Sequence, residues 1–209
     1  MRRLSILLSL SLALAGCNGD DGDVASSGLA KKGVSICGSS QLKGKRIPRV
    51  RSSSNPSCGF GDAVEVYSVA GVAVIGSPQM RCDTAKAFET WTRKSAIPAV
   101  RQATGERLTS MTVWVGYACR SRSSGRKLSE HAKGNAIDIS AFTTNRGSFT
   151  VAKNWRKGAY GRAMLKMKSG ACGPFGVVLH PDNDRHHWNH FHFDTSNRSG
   201  RYIYCRENP

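Results

Sequence analysis

Acidic residues are scarce in this chain. Its 209 residues hold 14 aspartates and glutamates against 31 lysines and arginines, a formal net charge of +17. Such a field attracts polyanions. Nucleic acid and an anionic cell envelope are the candidates, and the same excess of charge also serves solubility. Long apolar runs are missing too. The run at residues 4–15 falls short of the roughly 20 residues needed to cross a bilayer core, which argues against a transmembrane helix. No two cysteines form a CxxC pair, which argues against a structural zinc knuckle. Internal repeats and a parallel βαβ rhythm are absent as well. What remains is an α+β fold, with helices packed on a mostly antiparallel sheet.

The start of the chain reads as an export signal. Arg2 and Arg3 precede the apolar run, and "LAGC" follows it, ending at Cys17. This is the pattern of a signal peptide over residues 1–16. "LAGC" resembles the bacterial lipobox, whose cysteine becomes a lipidated first residue; the other reading is an ordinary secretory signal. Acyl chains contribute roughly 0.8 kcal/mol per buried methylene, so a lipidated Cys17 would hold the protein on a membrane. Residues 17–35 are polar and rich in Gly and Ser, as in a flexible tether. Residues 43–57, "KGKRIPRVRSSSNPS", read as a long loop or more linker. The domain proper is expected over residues 36–209. Beyond Cys17 the chain has six cysteines, Cys37, Cys58, Cys82, Cys119, Cys172 and Cys205. An even number in an exported chain predicts disulfides, up to three, with the pairing open.

Local patterns place the elements. Residues 63–76 are valine-rich and partly alternating, which predicts a strand or hairpin bent at Gly71. Residues 82–105 predict a helix capped by Asp83 and broken or kinked at Pro98, with a second short helix ending near Gly105. Residues 107–121 are β-branched and aromatic and predict a strand. Residues 154–172 contain a helix with Tyr160, Met164 and Met167 as its apolar stripe. Residues 175–181 and 189–194 predict two last strands.

Histidine is the informative residue. Five of the six histidines fall between residues 180 and 192; the sixth is His131. In "NHFHFD" the period of two sends His190, His192 and Asp194 to one face and Phe191 and Phe193 to the core. In "AIDIS" the same rule places Asp138 opposite Ile137 and Ile139. A carboxylate there is costly to bury unless something pairs it. His131 lies across a Gly134-Asn135 turn that can fold it back beside Asp138. With His192 this makes two imidazoles and one carboxylate. Three protein ligands with a fourth position open is the pattern of a catalytic Zn2+ site.

"SEHAKGNAID" resembles the SxHxxGxAxD motif of zinc D-Ala-D-Ala peptidases and related murein endopeptidases, and "HFH" resembles their HxH motif. Over most of the chain after Cys58 the sequence resembles the bacterial extensin-like C-terminal domain family. "CGFGDAVEV", "MRCDTAKAFETW", "GYACRSR", "GACGPFGVVLHP" and "HHWNHFHFD" carry that likeness. The proline-rich repeats of plant extensins are missing, so no plant-wall role follows. The resemblance implies a zinc D-Ala-D-Ala peptidase-like fold, with His131, Asp138 and His192 as metal ligands. It implies His190 as the general acid/base, where ExxH enzymes use a glutamate, with His187 as the rival. Arg120 would steady the substrate or the developing oxyanion, and Arg122 could serve in its place. Ser129 would cap the loop or hold a ligand's second nitrogen, and Asp194 could hold a ligand or bridge to a basic loop.

The expected function is an exported zinc-dependent hydrolase acting on peptide (amide) bonds of peptidoglycan. Its expected place is the cell envelope, as a lipoprotein facing the periplasm or exterior. A non-catalytic wall-binding module that keeps the fold and metal site is the second reading. A metal-dependent nuclease is the third, and the export signal argues against nucleic acid as partner.

Overall fold

The computed structural model describes residues 31–122 and 125–196. The expected signal peptide, Cys17 and Cys205 lie outside the described residues. In chain order the first elements are β1 (Val34–Ile36), β2 (Ser39–Arg46), β3 (Val50–Arg51), β4 (Gly59–Phe60), β5 (Ala63–Val69), β6 (Val72–Ile75) and β7 (Gln79–Arg81). Helices α1 (Cys82–Trp91) and α2 (Ile97–Thr104) follow, then β8 (Leu108–Val115), β9 (Ala136–Thr144) and β10 (Ser148–Thr150). The chain continues through α3 (Val151–Asn154), α4 (Gly158–Ser169), β11 (Val177–Leu179) and β12 (Phe191–Asp194). The class is α+β, as expected. The main sheet runs β1-β2-β5-β6-β8-β9-β12-β11.

The hairpin expected at Gly71 is present as β5 and β6. Ala70 and Gly71 both take positive φ, 49° and 79°, which matches the twist of a two-residue hairpin turn. The sheet is antiparallel except for β6 and β8, which pair in parallel. That single crossover, through α1 and α2, was hidden because β7 interrupts the β-α-β order. The basic stretch expected to be loop or linker also needs correction. Its first four residues, Lys43–Arg46, belong to β2, which pairs along β5. Only Leu42 and Gly44 turn inward there, so the strand has almost no apolar signature. The expected tether is likewise shortened at its end, because Val34 and Ser35 join β1.

Helix α1 buries Cys82, Ala85, Phe88 and Trp91, a three-residue spacing that makes one apolar face. Asp83 lies in its first turn and does not cap it; Arg81 occupies the N-cap without a side-chain bond. Pro98 does not break the chain of helices. A π-helical turn at Thr92–Ala96 precedes it, in which the Ile97 N–H reaches back to Thr92 O. The wider turn absorbs the missing proline N–H. Gly105, left-handed at φ 74°, then ends α2. On α4, Met164 and Met167 are fully buried.

The helices cover one face of the sheet. Trp91 meets Phe193 edge-on at 5.1 Å, and Phe191 and Phe193 stack on each other at 5.4 Å. Ile137 and Ile139 join them in the core. Two disulfides, Cys37–Cys82 and Cys58–Cys119, close the structure, and Cys172 is also disulfide-bonded. With β9 and β12 nailed to the core by their apolar residues, their alternate residues face the other way.

Candidate metal centre

Strand register brings two of the expected ligands together. Asp138 on β9 and His192 on β12 are direct cross-strand partners, flanked by the pairs Phe193–Ile137 and Phe191–Ile139. Directly opposed side chains on one face are natural contacts. His131 comes from the 3₁₀ turn Glu130–Lys133, which Ser129 starts by accepting the His131 N–H. Gly134 ends that turn at φ 68°, where a side chain would also strike the Phe60 ring. The Gly134 carbonyl accepts from Arg81 N and Thr84 Oγ1, which fixes the turn to the start of α1.

The three ligand atoms form a small triangle. His192 Nδ1 is 2.8 Å from Asp138 Oδ1, and His131 Nε2 is 3.1 Å from that oxygen and 3.0 Å from His192 Nδ1. Exposure is 0% for His131, 4% for Asp138 and 9% for His192. The outer nitrogens are already engaged. His131 Nδ1–H donates to Gly116 O at 2.8 Å, and His192 Nε2–H donates to Asp194 Oδ2 at 3.3 Å. Such anchors fix the tautomer of a metal-binding imidazole. They leave three lone-pair atoms aimed at one point. That arrangement is repulsive unless a cation joins it.

A proton is one such cation. Burial lowers the His192 pKa, but Asp138 and Asp194 on either side outweigh it and push the ring up to about 9. Burial also opposes the charge on Asp138, yet hydrogen bonds to His131 and His192 hold its carboxyl well below the usual range. Asp194 is buried too, and His192 and Ser196 hold it low. One proton satisfies one edge of the triangle, whereas a divalent ion satisfies all three corners. Bonds of ~2.0–2.1 Å to a tetrahedral centre place neighbouring donors about 3.4 Å apart. The triangle needs only a small expansion to reach that size, so His131, Asp138 and His192 fit a metal ion.

A cavity of about 530 Å³ opens onto Asp138 and His192, within the size range of small-ligand sites. His190 lies on its wall. Its Nδ1 meets Asn189 Oδ1 at 2.9 Å, and its Nε2 points inward, 3.8 Å from Asp138 Oδ1. Burial lowers its pKa to about 4, against the pull of Asp138. The His187 ring lies tilted against both His190 and His192, with ring centres 5.1 and 5.7 Å away. Its Nδ1–H donates to Asp184 Oδ1 at 2.8 Å. Burial lowers the His187 pKa although Asp184 raises it.

The two arginines differ. Arg120 is half exposed and reaches Asp138 Oδ2 at 3.8 Å. Arg122 also lines the cavity, but its head group binds Glu130 Oε1 at 3.3 Å and Leu128 O at 3.4 Å. Of the two roles expected for Ser129, the structure has the cap; Gly116 O holds the ligand's second nitrogen instead. Asp194 Oδ2 meets the outer nitrogen of His192.

Residues 36–206 match the family model described as extensin-like protein C-terminus. The chain belongs to that family. No curated protein and no solved structure matches it. The extensin-like match includes the whole triangle and the Cys37–Cys82 and Cys58–Cys119 disulfides.

Three contributors in this extensin-like domain escaped the sequence reading. Asp184 orients His187, and a D-x-x-H spacing in a turn was the available signal. Glu130 is buried beside His131, where Arg122, Lys133 and Asn135 bind it. No sequence pattern announces a buried glutamate of that kind. The Gly116 carbonyl is main chain, so residue type could not reveal it.

Proposed function

We propose that this extensin-like domain is an exported, zinc-dependent hydrolase that cleaves peptide (amide) bonds of bacterial peptidoglycan. One observation carries the reading: three lone-pair atoms on two histidines and an aspartate converge beneath an open polar cavity. The two nitrogens and one carboxylate oxygen suit zinc among the common divalent ions. The motif likeness to zinc D-Ala-D-Ala peptidases supports the fold and reaction class. The lipobox-like start, the disulfides and the basic charge support an envelope location.

Bound zinc would supply Lewis acidity toward a carbonyl and a water. The chain's own residues supply the rest. His190 Nε2, bare and aimed inward, accepts the proton of the attacking water and returns it to the leaving amine. His187, held by Asp184, stands behind it and keeps its own Nε2 available. The Arg120 guanidinium, close to Asp138 at the mouth, faces the oxygen on which negative charge develops.

The test is turnover. Mature protein loaded with zinc is given muropeptides, beside His190→Ala and Asp138→Ala. Release of a new amine is expected from the wild type, with a loss of roughly 10²–10⁴-fold in His190→Ala. Product at equal rate in both variants would sink the assignment. No product from fully loaded wild type would leave the wall-binding module as the better reading.

A further inference from the structure

Four tryptophans are present, and they divide into two kinds. Trp91 is fully buried and donates Nε1–H to Met167 O; Trp155 packs on Phe191 and donates to Asp182 Oδ1. Trp114 and Trp188 are 55% and 58% exposed. Neither indole N–H has a hydrogen-bond acceptor among the described residues.

Each adjoins a residue of the cavity wall, Trp114 in space through His190 and Trp188 along the chain through His187. Trp114 occupies a β-bulge: Val113 pairs with Ile139 and Val115 with Asp138, so Trp114 is the extra residue beside a metal ligand. Bulges re-aim side chains in this way. The bulge sends Trp114 outward, its ring 6.0 Å from His190. Trp188 sits between His187 and Asn189 in the turn that delivers His190. On β6, Ile75 is also exposed, and it pairs with Thr112, two residues before Trp114.

We propose that Trp114 and Trp188 form a sugar-stacking platform at the mouth of the site, so that the substrate is a peptide still joined to its glycan. This rests on the amide-hydrolase reading above. A pyranose ring has an apolar C–H face and a polar rim. It matches a flat indole with a free N–H beside a polar wall. That wall has Asn183, Asp184, His186 and Arg120, with Val177 and Leu179 as its only aliphatic residues among those described. An apolar peptide side chain would need an enclosed pocket, and a membrane would need a continuous apolar patch.

The test uses the full chain in chelator, so that no turnover is required. An N-acetylglucosamine tetrasaccharide is titrated by calorimetry into wild type, Trp114→Ala, Trp188→Ala and Trp114→Tyr. Saturable binding is expected, weakened about tenfold in each alanine variant and largely restored by tyrosine. With zinc added, kcat/KM for a disaccharide-linked peptide is expected to fall similarly in the alanine variants. The sugar-free peptide should be unaffected. Absent sugar binding, or equal binding in all four proteins, overturns the platform. So does a loss confined to association with anionic phospholipid vesicles, which would mark a membrane contact. Failure of hydrolysis alone would leave the calorimetric result standing and would count against the amide-hydrolase reading instead.

Discussion

His131 and His192 are held by different kinds of acceptor, and the difference has consequences. Gly116 O is main chain and survives any side-chain change. Asp194 is a side chain that fixes His192 through Nε2 and also accepts from Ser196. Asp194→Asn keeps the size but removes the charge that fixes the His192 tautomer. Zinc affinity is expected to fall roughly 10–100-fold, measured by competition with a chromophoric chelator. An unchanged affinity would mean that Asp194 does not orient the ligand. A second residue reports on pH. His180 is buried, its Nδ1 accepts Asp182 N–H at 3.3 Å, and burial with Lys168 nearby pushes it from 6.5 down to about 4. The unfolded chain binds a proton as pH falls below 6.5, while the folded ring stays neutral until about 4. Its contribution is therefore full above 6.5 and is lost between 6.5 and about 4. His180→Asn keeps an acceptor that does not titrate. Its stability, followed by urea titration across that window, should vary less steeply with pH than that of the wild type.

Elements show where sequence reading succeeds and where it stops. The β5–β6 hairpin was legible because Gly71 sits in a valine-rich run. The pairing of Asp138 with His192 was legible because Ile137, Ile139, Phe191 and Phe193 fix both faces by alternation. β2 was not, because its inward residues are a leucine and a glycine among lysines. The π turn before Pro98 was not, because a proline signals distortion without saying which turn yields. The bulge at Trp114 was not, because register is a property of two strands. One element owes its position to a cross-link. The segment after β8 that carries Arg120 is tied at Cys119 to Cys58, beside β4, across 61 residues. A loop of that length implies up to ~4 kcal/mol of stabilisation by chain entropy. Replacing both cysteines by serine should lower the thermal midpoint. It should also release Arg120 from Asp138, so substrate turnover falls further than His131-dependent zinc binding. Equal losses in both would mean that the cross-link holds the whole fold and not this segment.

At the scale of the whole molecule, charge is distributed against the average. Thirty-one basic residues dominate the chain, yet Glu130, Asp138, Asp184 and Asp194 all line one cavity. Asp138 and Asp194 are nearly inaccessible to solvent, so counter-charge must come from within the protein or from a bound ion. Folding without metal leaves His192 as the nearest source, through the proton it holds between two carboxylates. Zinc would replace that proton and engage His131 as well, so it binds the folded chain far better than the unfolded one. Free zinc at about a hundredfold over Kd is expected to add ~2.7 kcal/mol of stability, a rise of several degrees in Tm for a domain of this size. Asp138→Ala should lose that rise while folding in chelator. Differential scanning calorimetry with zinc and with chelator measures both. A zinc-dependent rise of the same size in wild type and Asp138→Ala would place the ion elsewhere, and the hydrolytic reading would fall with it.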